Sequence, residues 1–189
     1  MNTETVYTTS KRRLILTAAS RIMNTQGAAR LTLEAVAAEA GVSKGGLLYH
    51  FPSKEALVIG MLNQLVEDFN IRLEAHLTAE ASGQPGDWLR AYIRMTFALP
   101  PEELELSAAL TAAFAIDPAL LEHVRQHFAA WHEQAIADGL PAEMATVVRL
   151  AVDGFWMAQF LGLAPPQGDL RDGVMQAMLR LTESSVKEG

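Results

Sequence analysis

Cysteine is absent from this 189-residue sequence, and its absence excludes several classes of protein at once. Without thiols the chain can form neither a disulfide scaffold nor a thiolate metal site, and it has no cysteine nucleophile. No run of 18 apolar residues occurs, so no transmembrane helix is predicted. The first ten residues lack the charged and apolar zones of a signal peptide. We therefore expect a cytoplasmic protein with no membrane partner.

Charge is also scarce, at 20% of residues, and it is unevenly distributed. Residues 1–55 contain seven basic and four acidic side chains, a net charge of +3, whereas the remainder carries −10. A basic N-terminal quarter on an acidic body suggests a small module that binds phosphate groups, although chance would also produce such an asymmetry.

Hydrophobic residues, in contrast, make up 50% of the chain, and their spacing predicts an all-α fold of nine helices. No β-branched run alternates with polar residues for long enough to indicate a strand. In the first helix we expect Leu14, Ala18, Ile22 and Met23 to face inward. The predicted helices span 11–26, a short stretch after Thr32 that ends at Gly41, Ser43 to about His50, 54–80, 87–99, 102–116, 118–138, 142–163 and 170–185.

The second and third helices have the pattern of a helix-turn-helix, which consists here of a short helix, a glycine turn and a Ser-capped helix. Gly45 and Gly46 make the third helix unusual, because each costs about 1 kcal/mol relative to alanine. A helix that presses against a base edge or a phosphate gains from having no side chain at that point. Lys44 could reach either group, whereas Leu47 and Phe51 are predicted to be core residues.

Three polar donors lie at or beyond the end of the third helix, namely Tyr49, His50 and Lys54. Lys54 begins the fourth helix, where free backbone N–H groups also favour phosphate.

Residues 11–57 resemble the DNA-binding region of TetR/AcrR-type transcriptional regulators, most specifically in the segment AGVSKGGLLYHFPSKEAL at 40–57. The resemblance implies a three-helix DNA-binding domain, residues 1–55, and a six-helix domain, residues 56–189, that binds an inducer and dimerises. It implies groove contacts by Lys44, Gly45 and Gly46. The complete predicted DNA-binding set is Thr32, Ser43, Lys44, Gly45, Gly46, Leu48, Tyr49, His50 and Lys54, in which Thr32, Tyr49, His50 and Lys54 would contact phosphate.

Two positions depart from the family pattern, because many members have Thr at position 46 and Tyr at position 48. Gly46 loses a hydroxyl donor, and Leu48 could either contact a thymine methyl group or simply pack. The operator sequence is therefore not transferable from relatives.

The C-terminal body contains all three tryptophans, and its aromatic residues form stripes at helical spacing. Trp88, Tyr92 and Met95 share one face, and Phe128 and Trp131 share another with Leu121 and Val124. Such stripes are usually core, but an aromatic-rich helical domain also suits an adaptable apolar pocket. The predicted ligand-binding residues are Trp88, Tyr92, Met95, Phe114, Phe128, Trp131, Asp153, Trp156 and Phe160.

The helix at 142–163 has two different sides. Small or β-branched residues cluster on one side and predict a dimer seam, to which the last helix would contribute. The opposite side carries Asp153, which is either paired with Arg149 at i, i+4 or a pocket carboxylate that faces a cationic ligand. The predicted interface residues are Val147, Ala151, Gly154, Ala158, Gly162 and Met178.

Motifs for enzyme chemistry are missing: there is no nucleophile elbow, phosphate loop or H-E-x-x-H. His123 and His127 have the spacing of a metal pair, but nothing completes a site. We predict no cofactor, metal or enzyme activity. The sequence favours a homodimeric regulator, most simply a repressor, that binds double-stranded operator DNA and is released by a small apolar or cationic inducer. The alternatives are a small-molecule binding protein that no longer reads DNA and a helical enzyme with a cavity at 88–160.

Overall fold

The computed structural model describes residues 3–183, without the side chains of residues 3–10, 80, 115 and 116. These residues form nine α-helices and one short 3₁₀ turn and no strand, which confirms the all-α prediction. No helix within this range is both long enough and apolar enough to span a bilayer. The helices are α1 (Thr3–Gln26), α2 (Leu33–Glu39), α3 (Lys44–His50), α4 (Lys54–Glu80), α5 (Asp87–Phe97), α6 (Pro101–Ile116), α7 (Leu120–Ile136), α8 (Ala142–Leu161) and α9 (Gly168–Glu183).

Most helix ends lie within two residues of the predicted ones, and the main exception is the start of α1. That helix begins at Thr3 rather than at residue 11, through a threonine-rich stretch of low helix propensity. Helix α8 ends before Gly162, which adopts a left-handed conformation (φ 66°) and caps the helix instead of continuing it. The predicted end of the last helix at 185 lies outside the described residues.

The backbone contacts divide the chain into two compact units. The first comprises the chain up to Val66 together with Glu105–His123. Its core includes Ile15, Leu16 and Ile22, each 2% exposed or less. Ala18 and Met23 are also buried, as predicted, but Leu14 is 49% exposed, so its predicted inward orientation is wrong. The buried stripe of α1 includes Ile15 and Ala19 at i, i+4 spacing with the buried Ala18, Ile22 and Met23, and Leu14 lies outside it.

The second unit comprises Glu67–Leu104 and the chain from Val124 onward, and α5 lies at its centre. Helix α5 contacts both α8 and α9, and eight of its eleven residues are buried. Phe97 of α5 stacks on Phe155 of α8, with ring centroids 3.8 Å apart. Arg171 of α9 lies over the Phe97 ring and donates to the Phe97 carbonyl. These contacts bind three helices into one apolar core.

The N-terminus of α5 is held by two carboxylates. Asp138, from the loop between α7 and α8, accepts hydrogen bonds from the backbone N–H groups of Trp88 and Leu89 at 3.0 and 2.9 Å. Burial raises the pKa of Asp138, and these two bonds oppose that rise. Asp87 accepts from the Ser82 hydroxyl at 2.6 Å, which holds the pKa of that carboxyl well below its usual range. Arg90 pairs with Asp87 and adds to the effect.

Candidate functional sites

The helix-turn-helix predicted from the sequence is present, with both predicted caps formed. The Thr32 hydroxyl accepts a hydrogen bond from the Ala35 N–H at 3.1 Å and starts α2. Gly41 lies in the left-handed region (φ 64°) and makes the turn. The Ser43 hydroxyl accepts from the Gly46 N–H at 3.1 Å and starts α3. Side-chain caps at these two positions therefore fix where each helix begins.

Helix α3 exposes Lys44, Gly45 and Tyr49, and three more of its seven residues are half-buried. Its single buried residue is Leu47, at 0% exposure, which anchors the helix to the first unit. Tyr49 is 79% exposed, and its ring meets His50 edge-on at 5.1 Å. Gly45 is exposed, and a Cβ atom there would meet nothing within 4 Å. Leu48 is half-buried, so part of its side chain packs and part is exposed.

An ion pair that the sequence did not predict links α2 to α3. Lys44 Nζ lies 2.6 Å from Glu34 Oε1, and both side chains are more than half exposed. The hydrogen bond from Lys44 lowers the pKa of Glu34. Opposite charges on adjacent helices could have suggested the pair, but its geometry depends on how α2 and α3 pack. In this structure the ammonium group of Lys44 is therefore engaged by a carboxylate.

Helix α4 begins with a third side-chain cap, next to the last predicted phosphate contact. The Ser53 hydroxyl accepts from the Ala56 N–H at 3.0 Å, and Lys54 is exposed in the first turn. Thr32 at the start of α2 is exposed as well. The polar groups predicted to contact phosphate thus lie at helix N-termini or on the open side of α3.

A cleft of about 330 Å³ lies in the second unit, between α4, the start of α5 and α7. Two of its residues, Trp88 and Trp131, were predicted as ligand-binding residues. The others were missed, although their spacing of three and four residues along α4 and α7 marks one face of each helix. The cleft is lined by Asn70, Leu73, Glu74, Leu77, Trp88, His127, Ala130, Trp131 and Gln134.

The two indole rings in the cleft lining, those of Trp88 and Trp131, pack against further aromatic rings behind them. Trp88 stacks on Tyr92 with centroids 5.0 Å apart and planes 14° apart. Trp131 packs against Phe69 at 4.6 Å, and its indole N–H donates to the Asn70 side-chain carbonyl at 2.9 Å. That hydrogen bond fixes the orientation of the Trp131 ring, so one wall of the cleft is preorganised.

Other predicted ligand-binding residues lie outside the cleft lining. Met95 is 1% exposed and belongs to the core. Phe114 is half-buried on α6, in the segment that clusters with the first unit. Phe128, Trp156 and Phe160 are half-buried and form a chain of ring contacts, with centroids 6.3 and 4.6 Å apart.

Asp153 is engaged on both sides by neighbouring side chains. The Tyr92 hydroxyl donates to Oδ1 at 2.6 Å, and Arg149 Nη1 donates to Oδ2 at 2.5 Å. The i, i+4 pair that the sequence left as one alternative is thus formed. Burial raises the pKa of Asp153, whereas Tyr92 and Arg149 oppose the rise. Its carboxylate is committed to holding α5 against α8.

The predicted dimer seam corresponds in part to an exposed apolar surface, here named the α8/α9 face. Val147 is 56% exposed, and a Cβ at Gly154 would meet nothing within 4 Å. Ala151 and Ala158 are half-buried. Met178 is 8% exposed and buried within its own unit, so its side chain is not available to a partner. The α8/α9 face consists of Val147, Leu150, Gly154, Met157 and Leu161 on α8 and Leu170 and Leu181 on α9.

Comparisons with known proteins agree with both halves of the chain. The family described as "Bacterial regulatory proteins, tetR family" matches residues 15–61, and "Tetracyclin repressor-like, C-terminal domain" matches residues 86–183. The transcriptional regulator RutR of Escherichia coli is 44% identical over 66 residues, 35% of this chain and 31% of RutR. The chain thus matches only about a third of that relative.

Two further proteins are similar over most of the chain. The transcriptional regulator BetI of Rhizobium meliloti is 26% identical over 187 residues, 93% of this chain and 87% of BetI. The crystal structure of the multidrug binding protein EbrR complexed with ethidium is 25% identical, with a TM-score of 0.69, over 91% of this chain and 98% of EbrR. The family comprises regulatory proteins, and RutR and BetI are transcriptional regulators rather than enzymes. Because the C-terminal family alone spans more than half of the sequence, the chain belongs to the TetR family of bacterial regulatory proteins.

Proposed function

We propose that the protein is a repressor that binds double-stranded operator DNA as a homodimer and is released by a small apolar or cationic molecule. In this proposal residues 1–55 bind DNA and residues 56–189 bind the ligand and dimerise. The observation that carries it is the exposed surface of α3, held by one buried residue and a side-chain cap. A repressor of this kind acts where the chromosome is, which supports a cytoplasmic location.

The chemistry of α3 suits a major groove. An exposed helix without side chains at Gly45 and Gly46 can approach base edges closely, and Lys44 supplies a donor for a base or a phosphate. Tyr49, His50 and the N-termini of α2 and α4 would fix the register through phosphate contacts. Sequence is then read by α3, and affinity is supplied largely by charge.

Dimerisation through the α8/α9 face would place two copies of α3 on one duplex. Exposed apolar side chains on two contacting helices mark an interaction surface, and the most common closed assembly is a two-fold dimer. Gly154→Leu should leave the isolated subunit folded, since open space surrounds that position. In the dimer the added side chain should cost about 1–3 kcal/mol. Sedimentation should then detect monomer at low micromolar concentration; a dimer of undiminished strength would contradict this interface.

The cleft supplies the ligand site of the proposal. Its volume of about 330 Å³ lies at the small end of ligand pockets. The similarity to EbrR, a multidrug binding protein solved with ethidium, supports a small organic ligand. A ligand that binds one conformation more tightly than another shifts the population between them, which is how occupancy would change DNA affinity.

The experiment that tests the DNA-binding proposal is a mobility-shift assay on the region upstream of the protein's own gene, at several salt concentrations. Specific binding should weaken steeply with salt, because counterions are released from the phosphates. Lys54→Ala should reduce the slope of log affinity against log salt by about one unit. Glu55→Gln, the next residue on the same helix, serves as the control. Absence of salt-dependent binding would overturn the proposal, and an unchanged slope would remove Lys54 from the interface.

A further inference from the structure

The lining of the cleft between α4, α5 and α7 carries a negative charge and no Lys or Arg to balance it. Its nine lining residues include one carboxylate, that of Glu74, and none of them is Lys or Arg. Three other acidic residues of the second unit, Asp87, Asp138 and Asp153, are engaged by hydrogen bonds or ion pairs. Among the described residues Glu74 has no such partner.

The nearest basic residue along α4 does not neutralise Glu74. Arg72 is two positions away, on a different side of the helix. Its guanidinium forms a bidentate ion pair with Glu103 of α6. The positions three and four residues from Glu74 are Asn70, Ile71, Leu77 and Thr78, none of which carries a positive charge. Glu74 is therefore an exposed lining residue of the cleft whose charge is uncompensated by its own helix.

The rest of the cleft wall includes two indole rings, those of Trp88 and Trp131. Asn70 belongs to the same lining face of α4 as Glu74, one turn earlier, and holds the Trp131 indole through the 2.9 Å hydrogen bond. Trp88 forms another part of the wall. Aromatic faces attract cations through their quadrupole, and a carboxylate attracts them through its full charge. Both interactions favour the same kind of ligand.

We propose that this cleft selects a small organic cation with an apolar ring system, and that Glu74 is its counter-ion. The inference rests on the proposed function, since it names the ligand class of the same site. It also replaces Asp153 as the acidic element of that site, because Tyr92 and Arg149 already occupy the Asp153 carboxylate. The volume of about 330 Å³ accommodates a ligand of a few rings.

The test compares two probes of the same ring system, the cation N-methylquinolinium and the neutral molecule quinoline, by isothermal titration calorimetry on the full chain at pH 7.5. We expect the cation to bind about tenfold more tightly. Glu74→Gln preserves the side-chain shape and should weaken N-methylquinolinium binding about tenfold, with less than a twofold effect on quinoline. Equal affinity of the unmodified protein for the two probes, or no binding of the cation, would overturn the inference.

Glu67→Gln is the matched control, because it removes the same charge from an exposed position two turns earlier on α4, outside the cleft lining. It should leave both affinities unchanged. An equal loss of cation affinity in the two variants would assign the effect to net charge and would also overturn the inference. Thermal melts of both variants exclude unfolding as the cause of a lost affinity.

A parallel mobility-shift assay separates this inference from the proposed function. If N-methylquinolinium binds through Glu74 but leaves operator binding unchanged, the ligand class stands and the release step fails. If operator DNA is bound normally but calorimetry detects no preference for the cation, the ligand class fails and the DNA-binding proposal stands.

Discussion

Helices α3 and α5 are both short, yet they relate to their surroundings in opposite ways. Helix α3 buries one residue of seven, whereas α5 buries eight of eleven. The first is held by a cap and an anchor, which leaves its surface available to another molecule. The second is the centre of an apolar core, and its side chains are committed to the fold. We therefore expect substitutions in α5 to change stability and substitutions in α3 to change DNA binding.

The largest expected effect is that of a truncated core residue in α5. Ile93 is 0% exposed, so Ile93→Ala should lower the free energy of unfolding by about 2–5 kcal/mol, through lost burial and a cavity. Denaturant unfolding measures the loss. Tyr49→Phe on α3 should change it by less than about 0.5 kcal/mol, because its side chain is 79% exposed. Similar losses for the two variants would erase the distinction between the helices.

A smaller effect is expected at the start of α5, where Asp87 is held by Ser82 and Arg90. Because these contacts hold the folded-state pKa of Asp87 below the unfolded value, they stabilise the fold above about pH 4. That stability is lost as the pH falls through the folded-state pKa. Asp87→Asn should cost about 1–3 kcal/mol at pH 7. Its unfolding free energy should fall less than that of the unmodified protein between pH 5 and pH 2; parallel pH profiles would contradict the assignment.

Gly45→Ala on α3 should raise the free energy of unfolding, whereas the preceding substitutions lower it. Its backbone is helical and a Cβ meets nothing within 4 Å, so the substitution should stabilise the fold by about 0.4–1 kcal/mol. Operator binding should weaken, because the methyl group would enter the space between helix and groove. Gly46→Ala is the comparison variant. Its Cβ would lie 3.2 Å from the capping Ser43 hydroxyl, so this substitution should stabilise the fold less than Gly45→Ala does. A Gly45→Ala protein that is more stable and binds operator normally would refute the close-approach argument.

The smallest effect concerns the ion pair between α2 and α3. Glu34→Gln should release Lys44 and raise operator affinity about two- to fivefold at low salt, the range of exposed pairs. Glu39→Gln removes an equal charge from α2 but leaves Lys44 paired, because Glu39 pairs with Arg21. An equal gain in the two variants would attribute the effect to net charge alone.

The contrast between α3 and α5 also explains what could be read from the sequence. Thr32 and Ser43 were predicted as caps, since a cap and its N–H group are three residues apart. Asp138 caps α5 from 50 residues away, and no local pattern encodes that distance. The Glu74 side of the cleft was missed because α4 was considered only for its apolar positions, although Asn70, Glu74 and Leu77 share one face.

The predicted dimer seam illustrates a related limit, because the sequence does not determine which side of α8 is left exposed. Counting 100° per residue predicted a seam centred on the small residues of α8. The exposed apolar positions are centred closer to Leu150, Met157 and Leu161. Only the packing of α8 against α5 and α9 determines which edge of that side is covered.

Two of the three indoles in the chain, those of Trp88 and Trp131, line the cleft, and Trp156 lies outside its lining. The protein therefore contains its own optical reporter of cleft occupancy. A ligand that displaces water from the cleft changes the polarity around two emitting groups, so both the wavelength and the intensity of emission should respond. Replacing Trp156 by Phe would remove the emission that originates elsewhere. Occupancy could then be followed in the same cuvette as DNA binding, without labelling a chain that has no cysteine to label.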